Sequence, residues 1–184
     1  MKIAEVDILI IPGLGNSPPG HWQRRWGERF STARFVEQDD WDQPEPRRWI
    51  YAIEREIMLA TRPVVIIAHS LAVIATVQAA QRLVDTKVRG AFLVSAPDLE
   101  LNANVPEEAR RFAPVPRDPL PFPSLLIASS TDPFCSLERA AEFASCWGSD
   151  FHQAGEAGHI NLASGHGPWP EGLVMFTRLM QRLK

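Results

Sequence analysis

Val64-Val65-Ile66-Ile67-Ala68-His69-Ser70-Leu71-Ala72-Val73-Ile74-Ala75 is the stretch whose reading decides the fold of this chain. Its opening run, Val64 to Ala68, is β-branched and apolar on both faces, as a central strand of a parallel sheet must be. From Ala72 to Leu83 the residues are helix formers with apolar spacings of three and four. Ser70 therefore falls at an abrupt corner between strand and helix. A serine on such a turn is held clear of the sheet edge, and the residues two positions to either side must be small so that the backbones can approach. Ala68 and Ala72 meet that demand, making the pentapeptide a variant of the G-x-S-x-G nucleophile elbow with alanine at both glycine positions.

Two downstream segments give the corner its context. Ser129-Ser130-Thr131-Asp132-Pro133-Phe134 follows the apolar run Leu125 to Ala128, and Ala157-Gly158-His159-Ile160-Asn161 follows the strand-like Phe151-His152-Gln153. The chain order is Ser, Asp, His, which is that of α/β-hydrolases and differs from those of chymotrypsin and subtilisin. Six strands are expected: Ile8 to Ile11, Arg34 to Val36, Val64 to Ala68, Ala91 to Ser95, Leu125 to Ala128 and Phe151 to Gln153. Helical patterns at His21 to Phe30, Pro46 to Thr61, Ser70 to Leu83, Leu137 to Trp147 and Trp169 to Leu183 separate most of them. The alternation predicts an α/β fold, a wound parallel sheet with helices on both faces. The segment from Ala96 to Pro123 carries seven prolines and cannot be one helix, although Pro106 to Phe112 is suited to a short helical turn. It reads either as a wall of a binding cleft or as a rigid surface connection.

A chain of 184 residues is expected to form a single domain, 1–184, large enough to fold without disulfides or a structural metal. The net charge of −3 is scattered, which argues against a nucleic-acid partner. Cys135 and Cys146 are the two cysteines, without a CxxC pair or metal-ligand spacing, so reduced thiols and no metal are expected. Two acids before the first strand interrupt any signal-peptide core, and no apolar run approaches the roughly 20 residues of a spanning helix. These features lead us to expect a cytoplasmic protein with no membrane association.

With these residues in view, the chain resembles the small serine hydrolases of the α/β-hydrolase superfamily that include the bacterial YdeN-like proteins and the retinoblastoma-binding serine hydrolase. Beyond the segments above, the resemblance rests on several further stretches. They are Ile11-Pro12-Gly13-Leu14-Gly15-Asn16-Ser17, Gly20-His21-Trp22-Gln23-Arg24-Arg25-Trp26, Pro121-Phe122-Pro123 and Trp169-Pro170-Glu171-Gly172. It implies a minimal three-layer hydrolase with sheet order 2-1-3-4-5-6 and no large lid. It also implies Ser70 as nucleophile, His159 as base and Asp132 as acid. No Leu-x-Cys-x-Glu stretch occurs, so pocket-protein binding is not carried over.

The chemistry asks for these residue types. A serine hydroxyl needs a base to take its proton, and imidazole titrates near working pH. A carboxylate on the other ring nitrogen fixes the tautomer. The backbone N–H of Leu71, at the positive end of the following helix, is expected to serve the oxyanion. Leu14, or neighbouring Gly15, is expected to supply a second N–H.

Each assignment has a rival. Asp98 follows the fourth strand and competes with Asp132 as the acid. His21 either caps its helix or lines the site, His69 packs beside the elbow, and His166 lies seven residues past His159. Gly15, His21, Trp22 and His69 are the expected substrate contacts, while Trp26 and Trp41 are either pocket wall or core. The Asp39-Asp40-Trp41-Asp42 cluster reads as a solvated loop, and His152 as structural. The expected activity is cleavage of a small carboxylic ester, or an amide, through an acyl-serine, with no cofactor. The alternative is a non-catalytic binding protein on the same scaffold. The acyl chain, leaving group and oligomeric state are left open.

Overall fold

The computed structural model describes residues 1–83 and 87–184. Six strands form one parallel sheet: β1 (Asp7–Ile11), β2 (Ala33–Phe35), β3 (Val64–His69), β4 (Val88–Val94), β5 (Ser124–Ala128) and β6 (Asp150–Gln153). Their order is β2-β1-β3-β4-β5-β6, as the resemblance implied. The helices are α1 (Trp22–Arg29), α2 (Pro46–Leu59), α3 (Leu71–Ala80), α4 (Glu107–Arg110), α5 (Leu137–Trp147) and α6 (Pro170–Arg182). All six strands and the five long helices lie where the sequence pattern predicts, with ends shifted by a few residues. The clearest shifts are α3, which closes at Ala80 rather than Leu83, and β4, which starts three residues early at Val88.

Strand side chains alternate between two apolar layers, as a period of two requires. Leu9, Ile11, Ile66 and Ala68 face a core built with α2, α3 and α5. Ile8, Ile10, Val65 and Ile67 face a second core with α1 and α6, where Trp22, Trp26, Trp169 and Phe176 pack ring against ring. Helix α3 is buried on nearly every side, which explains why its sequence is apolar all round rather than amphipathic.

The proline-rich connection is neither of the two forms expected for it. Leu99, Val105, Ala109, Phe112, Val115, Leu120 and Phe122 are buried in the α2/α3/α5 core, so the segment completes that layer. Arg139 and Arg117 both pair with Glu100, and Arg139 also reaches Asp98 at 3.2 Å, tying the segment to α5. In an open parallel sheet the crevice forms at the carboxyl ends of the strands where the strand order reverses. Here that point lies between β1 and β3, and their following loops carry Gly13 and Ser70.

Candidate active site

Only Ser70 separates the end of β3 from the start of α3, so the chain must turn from strand to helix within one residue. It does so at φ +57°, ψ −129°, a region that costs a non-glycine residue about 1–3 kcal/mol. The neighbours hold it there: the Ser70 amide donates to the Val94 carbonyl at 2.9 Å, and its own carbonyl accepts the Val73 amide at 2.9 Å. Gly13 makes room for the turn. A β-carbon at Gly13 would lie 2.8 Å from Ser70 Cβ and 2.9 Å from the His69 carbonyl oxygen. Gly13→Ala is therefore expected to displace the serine and lower stability by about 1–3 kcal/mol. Urea melts of the variant beside the wild type would check this, and an unchanged stability would refute the packing argument.

His159 reaches Ser70 from the loop after β6. Its Nε2 lies 2.8 Å from Ser70 Oγ, and its Nδ1 lies 2.9 and 3.0 Å from the two Asp132 carboxylate oxygens. A carboxylate only accepts, so the ring proton sits on Nδ1 and Nε2 is free to accept the serine proton. The Asp132 side chain is 2% exposed, and its Oδ1 also accepts the Phe134 amide at 3.0 Å. The Phe134 ring stands edge-on to the imidazole with centroids 4.7 Å apart. The two loops are stitched together by Ser129 Oγ, which accepts the Ala157 amide at 2.9 Å, and by Thr131 Oγ1, which accepts the Gly158 amide at 3.0 Å.

Asp98 is elsewhere. Its Oδ1 accepts the amides of Glu100 and Leu101 at 3.2 Å each, and its Oδ2 faces Arg139, so it is a loop-organising residue.

The loop carrying His159 is anchored from below. Ile160, a β-branched residue fully buried at φ +47°, is an unusual conformer. Its carbonyl accepts the Trp22 indole N–H at 2.9 Å, which holds the strained backbone in place. His69 adds a second tie, its Nε2–H donating to the His159 carbonyl at 2.9 Å. Burial, reinforced by neighbouring His159 and His21, pushes the His69 pKa well below its usual value. Burial likewise takes His21 down to about 4, with His159 adding to the effect. Both rings are thus neutral in the folded protein.

The sign of the linkage follows directly. The unfolded chain takes up these protons near pH 6.5, whereas folded His21 does so only near pH 4, so stability is full above pH 6.5 and falls as the pH drops between those values. Between pH 7.5 and 5, a loss of about 2 kcal/mol is expected from His21 alone. Urea denaturation at both pH values tests this, and equal stability would contradict two buried neutral imidazoles.

A cavity of about 210 Å³ opens over Ser70, lined by Gly13, Leu14, Asn16, Pro18, His21, His69, His159, Asn161, Leu162 and Ala163. The amides of Leu71 and Leu14 have no acceptor among the described residues, the first because it opens α3. Two expected contacts need correction. The Gly15 amide donates to the Trp41 carbonyl at 2.8 Å, and Gly15 is not among the cavity-lining residues. Trp22 is fully buried and acts from beneath, through Ile160, rather than on a ligand.

His21 and His69 line the cavity. Trp26 is core, and Trp41 packs edge-on against Trp49 with centroids 5.7 Å apart. Asp39 pairs with Arg48 at 2.7 Å while Asp40 caps its own turn, so the acidic cluster is a loop. Phe134, Ile160 and the two asparagines drew no notice as site residues in the sequence. Only the positions of Asn16 and Asn161 inside the Gly-rich and Gly-His segments could have signalled them.

The fold has parallels among known proteins. A family model described as serine hydrolase matches residues 8–178. The structure of a protein described as a YdeN-like hydrolase, from Pectobacterium atrosepticum, is 32% identical, with 97% of this chain and 92% of that chain covered and a TM-score of 0.85. The ydeN gene product of B. subtilis, at 17% identity, shares the fold over 95% of this chain and 98% of its own, with a TM-score of 0.75. An esterase domain from Rhodothermus marinus shares it at 14% identity, over 95% and 87% of the two chains, with a TM-score of 0.66. Among curated proteins none matches significantly. With the family model spanning nearly the whole chain and a YdeN-like relative at 32% identity superposing along it, the chain belongs to the serine hydrolase family and has the α/β-hydrolase fold.

Proposed function

We propose that this serine hydrolase cleaves a small carboxylic ester, or an amide, through an acyl-Ser70 intermediate, with Ser70, His159 and Asp132 as its catalytic triad. The single observation that carries the reading is the continuous chain Ser70 Oγ to His159 Nε2 at 2.8 Å and His159 Nδ1 to Asp132 at 2.9 Å, opening on a cavity.

In this mechanism His159 Nε2 takes the Ser70 proton as Oγ attacks the ester carbonyl carbon. The negative charge formed on the carbonyl oxygen is met by the amides of Leu71 and Leu14, which have no acceptor among the described residues. Donors placed this way are commonly worth about 10²–10³-fold each. Asp132 stabilises the imidazolium as it forms. His159 then returns the proton to the departing alcohol, the C–O bond breaks, and the acyl group remains on Ser70. Water enters and gives a proton to His159 as its oxygen attacks the acyl carbon. His159 then returns that proton to Ser70 Oγ as the acyl–Oγ bond breaks and the acid is released.

The cavity's size supports a small substrate, since typical small-molecule sites measure roughly 300–1,000 Å³. The mechanism calls on protein groups alone. Among the described residues no helix is long and apolar enough to cross a membrane. Cys135 and Cys146 are both free thiols, which favours work in the reducing cytoplasm.

A fluorophosphonate probe tests the reading. Stoichiometric labelling of the intact protein that disappears in Ser70→Ala is expected, with ester hydrolysis lost in parallel. An unreactive, correctly folded protein would favour the binding-protein alternative instead.

A further inference from the structure

Three polar side chains lining the cavity, Asn16, His21 and Asn161, take part in none of these steps. Each has its acceptor atom engaged by a nearby donor. Asn16 Oδ1 accepts the Ser17 amide at 2.7 Å and Arg24 Nη2–H at 2.9 Å. His21 Nδ1 accepts the Gln23 amide at 3.2 Å, capping α1. Asn161 Oδ1 accepts the Ser164 amide at 3.0 Å. Those partners can only donate, so both amide orientations and the His21 tautomer are determined. What remains on all three is N–H: Asn16 Nδ2, His21 Nε2 and Asn161 Nδ2. None of these has an acceptor among the described residues, and His21 is only 2% exposed.

The surroundings favour negative charge. No Asp or Glu among the described residues lines the cavity. The Arg24 guanidinium sits directly behind the Asn16 carbonyl and polarises that amide, making its N–H groups better donors. His69 has its N–H engaged by the His159 carbonyl and adds no donor. A carboxylate has two oxygens with about four acceptor sites and no hydrogen to donate, which complements such a wall. An alkyl group would cover these donors without pairing them, and an ammonium would set N–H against N–H.

We propose that Asn16, His21 and Asn161 bind a compact carboxylate on the substrate, so that the preferred esters are short and carry an anionic group beside the scissile bond. The proposal rests on the serine-hydrolase reading above.

The test compares monomethyl succinate with its neutral isostere methyl 4-methylpentanoate, following acid release in a pH-stat. A kcat/KM ratio of at least tenfold in favour of the succinate is expected. Asn16→Asp and Asn161→Asp keep the acceptor oxygens that organise the loops but replace the donor with an anion. Aspartate also tolerates the positive φ of 65° at position 16. Each variant is expected to lower the ratio at least tenfold, with labelling of Ser70 by fluorophosphonate confirming the concentration of intact sites. A ratio near or below one, or a ratio unmoved by both substitutions, overturns the proposal.

Calorimetric binding of the same two esters to Ser70→Ala decides the matter independently of turnover. Tenfold tighter binding of the succinate supports the carboxylate site, and equal binding refutes it. If Ser70 fails to label and neither ester is hydrolysed, the hydrolase reading fails, while the binding measurement still judges the donor wall.

Discussion

Ester hydrolysis in Ser70→Ala and in His159→Ala is expected to fall by about 10⁴- to 10⁶-fold, with the double variant no worse than either single one. The reason is that Ser70 Oγ and His159 Nε2, 2.8 Å apart, act as one unit: without the base the hydroxyl keeps its proton, and without the hydroxyl the base has nothing to activate. The fold should survive. Alanine at position 70 keeps the backbone bonds to Val94 and Val73, and truncating His159 leaves Ile160 tethered to Trp22. Steady-state kinetics beside a melting curve is the measurement. A Ser70→Ala protein with a normal melt and more than about a tenth of wild-type activity would end the acyl-serine mechanism.

Asp132→Asn is expected to cost on the order of 10⁴-fold, the size of the corresponding loss in the serine-protease triad. The cause can be traced atom by atom. The Phe134 amide donates to Asp132 Oδ1 at 3.0 Å, so in the variant the carboxamide oxygen must stay on that amide and the NH₂ must face His159 Nδ1. Nδ1 then becomes an acceptor, the ring proton moves to Nε2, and Nε2 can no longer take a proton from Ser70. Asp98→Asn should behave oppositely. It weakens the contact with Arg139 and lowers stability by about 1–3 kcal/mol, but leaves turnover close to wild type because its side chain bonds neither Asp132 nor His159. Its tie to the Asp132 loop, the Asp98 amide on the Phe134 carbonyl at 2.9 Å, is backbone and survives the substitution. Kinetics in which Asp98→Asn is the more damaging change would reverse the assignment of the acid.

Much of this is legible in the sequence itself. The strand-corner-helix passage at Val64 to Ala75, with small residues at 68 and 72, marks Ser70 because the elbow's demands are local. The alternation of strands and helices is short-range as well, and it places every strand of the sheet. The proline-rich segment resisted reading because composition tells where regular structure stops and not which apolar residues of an irregular run are buried. Leu99, Phe112 and Leu120 find their places only against α2, α3 and α5. Trp22 misled for a related reason, since an indole is suited equally to a pocket wall and to a core with one polar tether.

What the sequence by itself determined, then, is what backbone propensity and residue chemistry control within a few positions: the layered α/β order, the serine at a strained corner, and the local hydrogen bonds by which Ser17, Gln23 and Ser164 engage Asn16, His21 and Asn161. Which of these features meet was decided by tertiary structure alone. The pairing of His159 with Asp132 rather than Asp98, the capture of the Gly15 amide by Trp41, and the gathering of Asn16, His21 and Asn161 around one cavity all join segments distant along the chain. Such contacts depend on strand order and on the direction each loop leaves the sheet. Both are set by how the two apolar layers pack around it, and no local stretch of sequence encodes that packing.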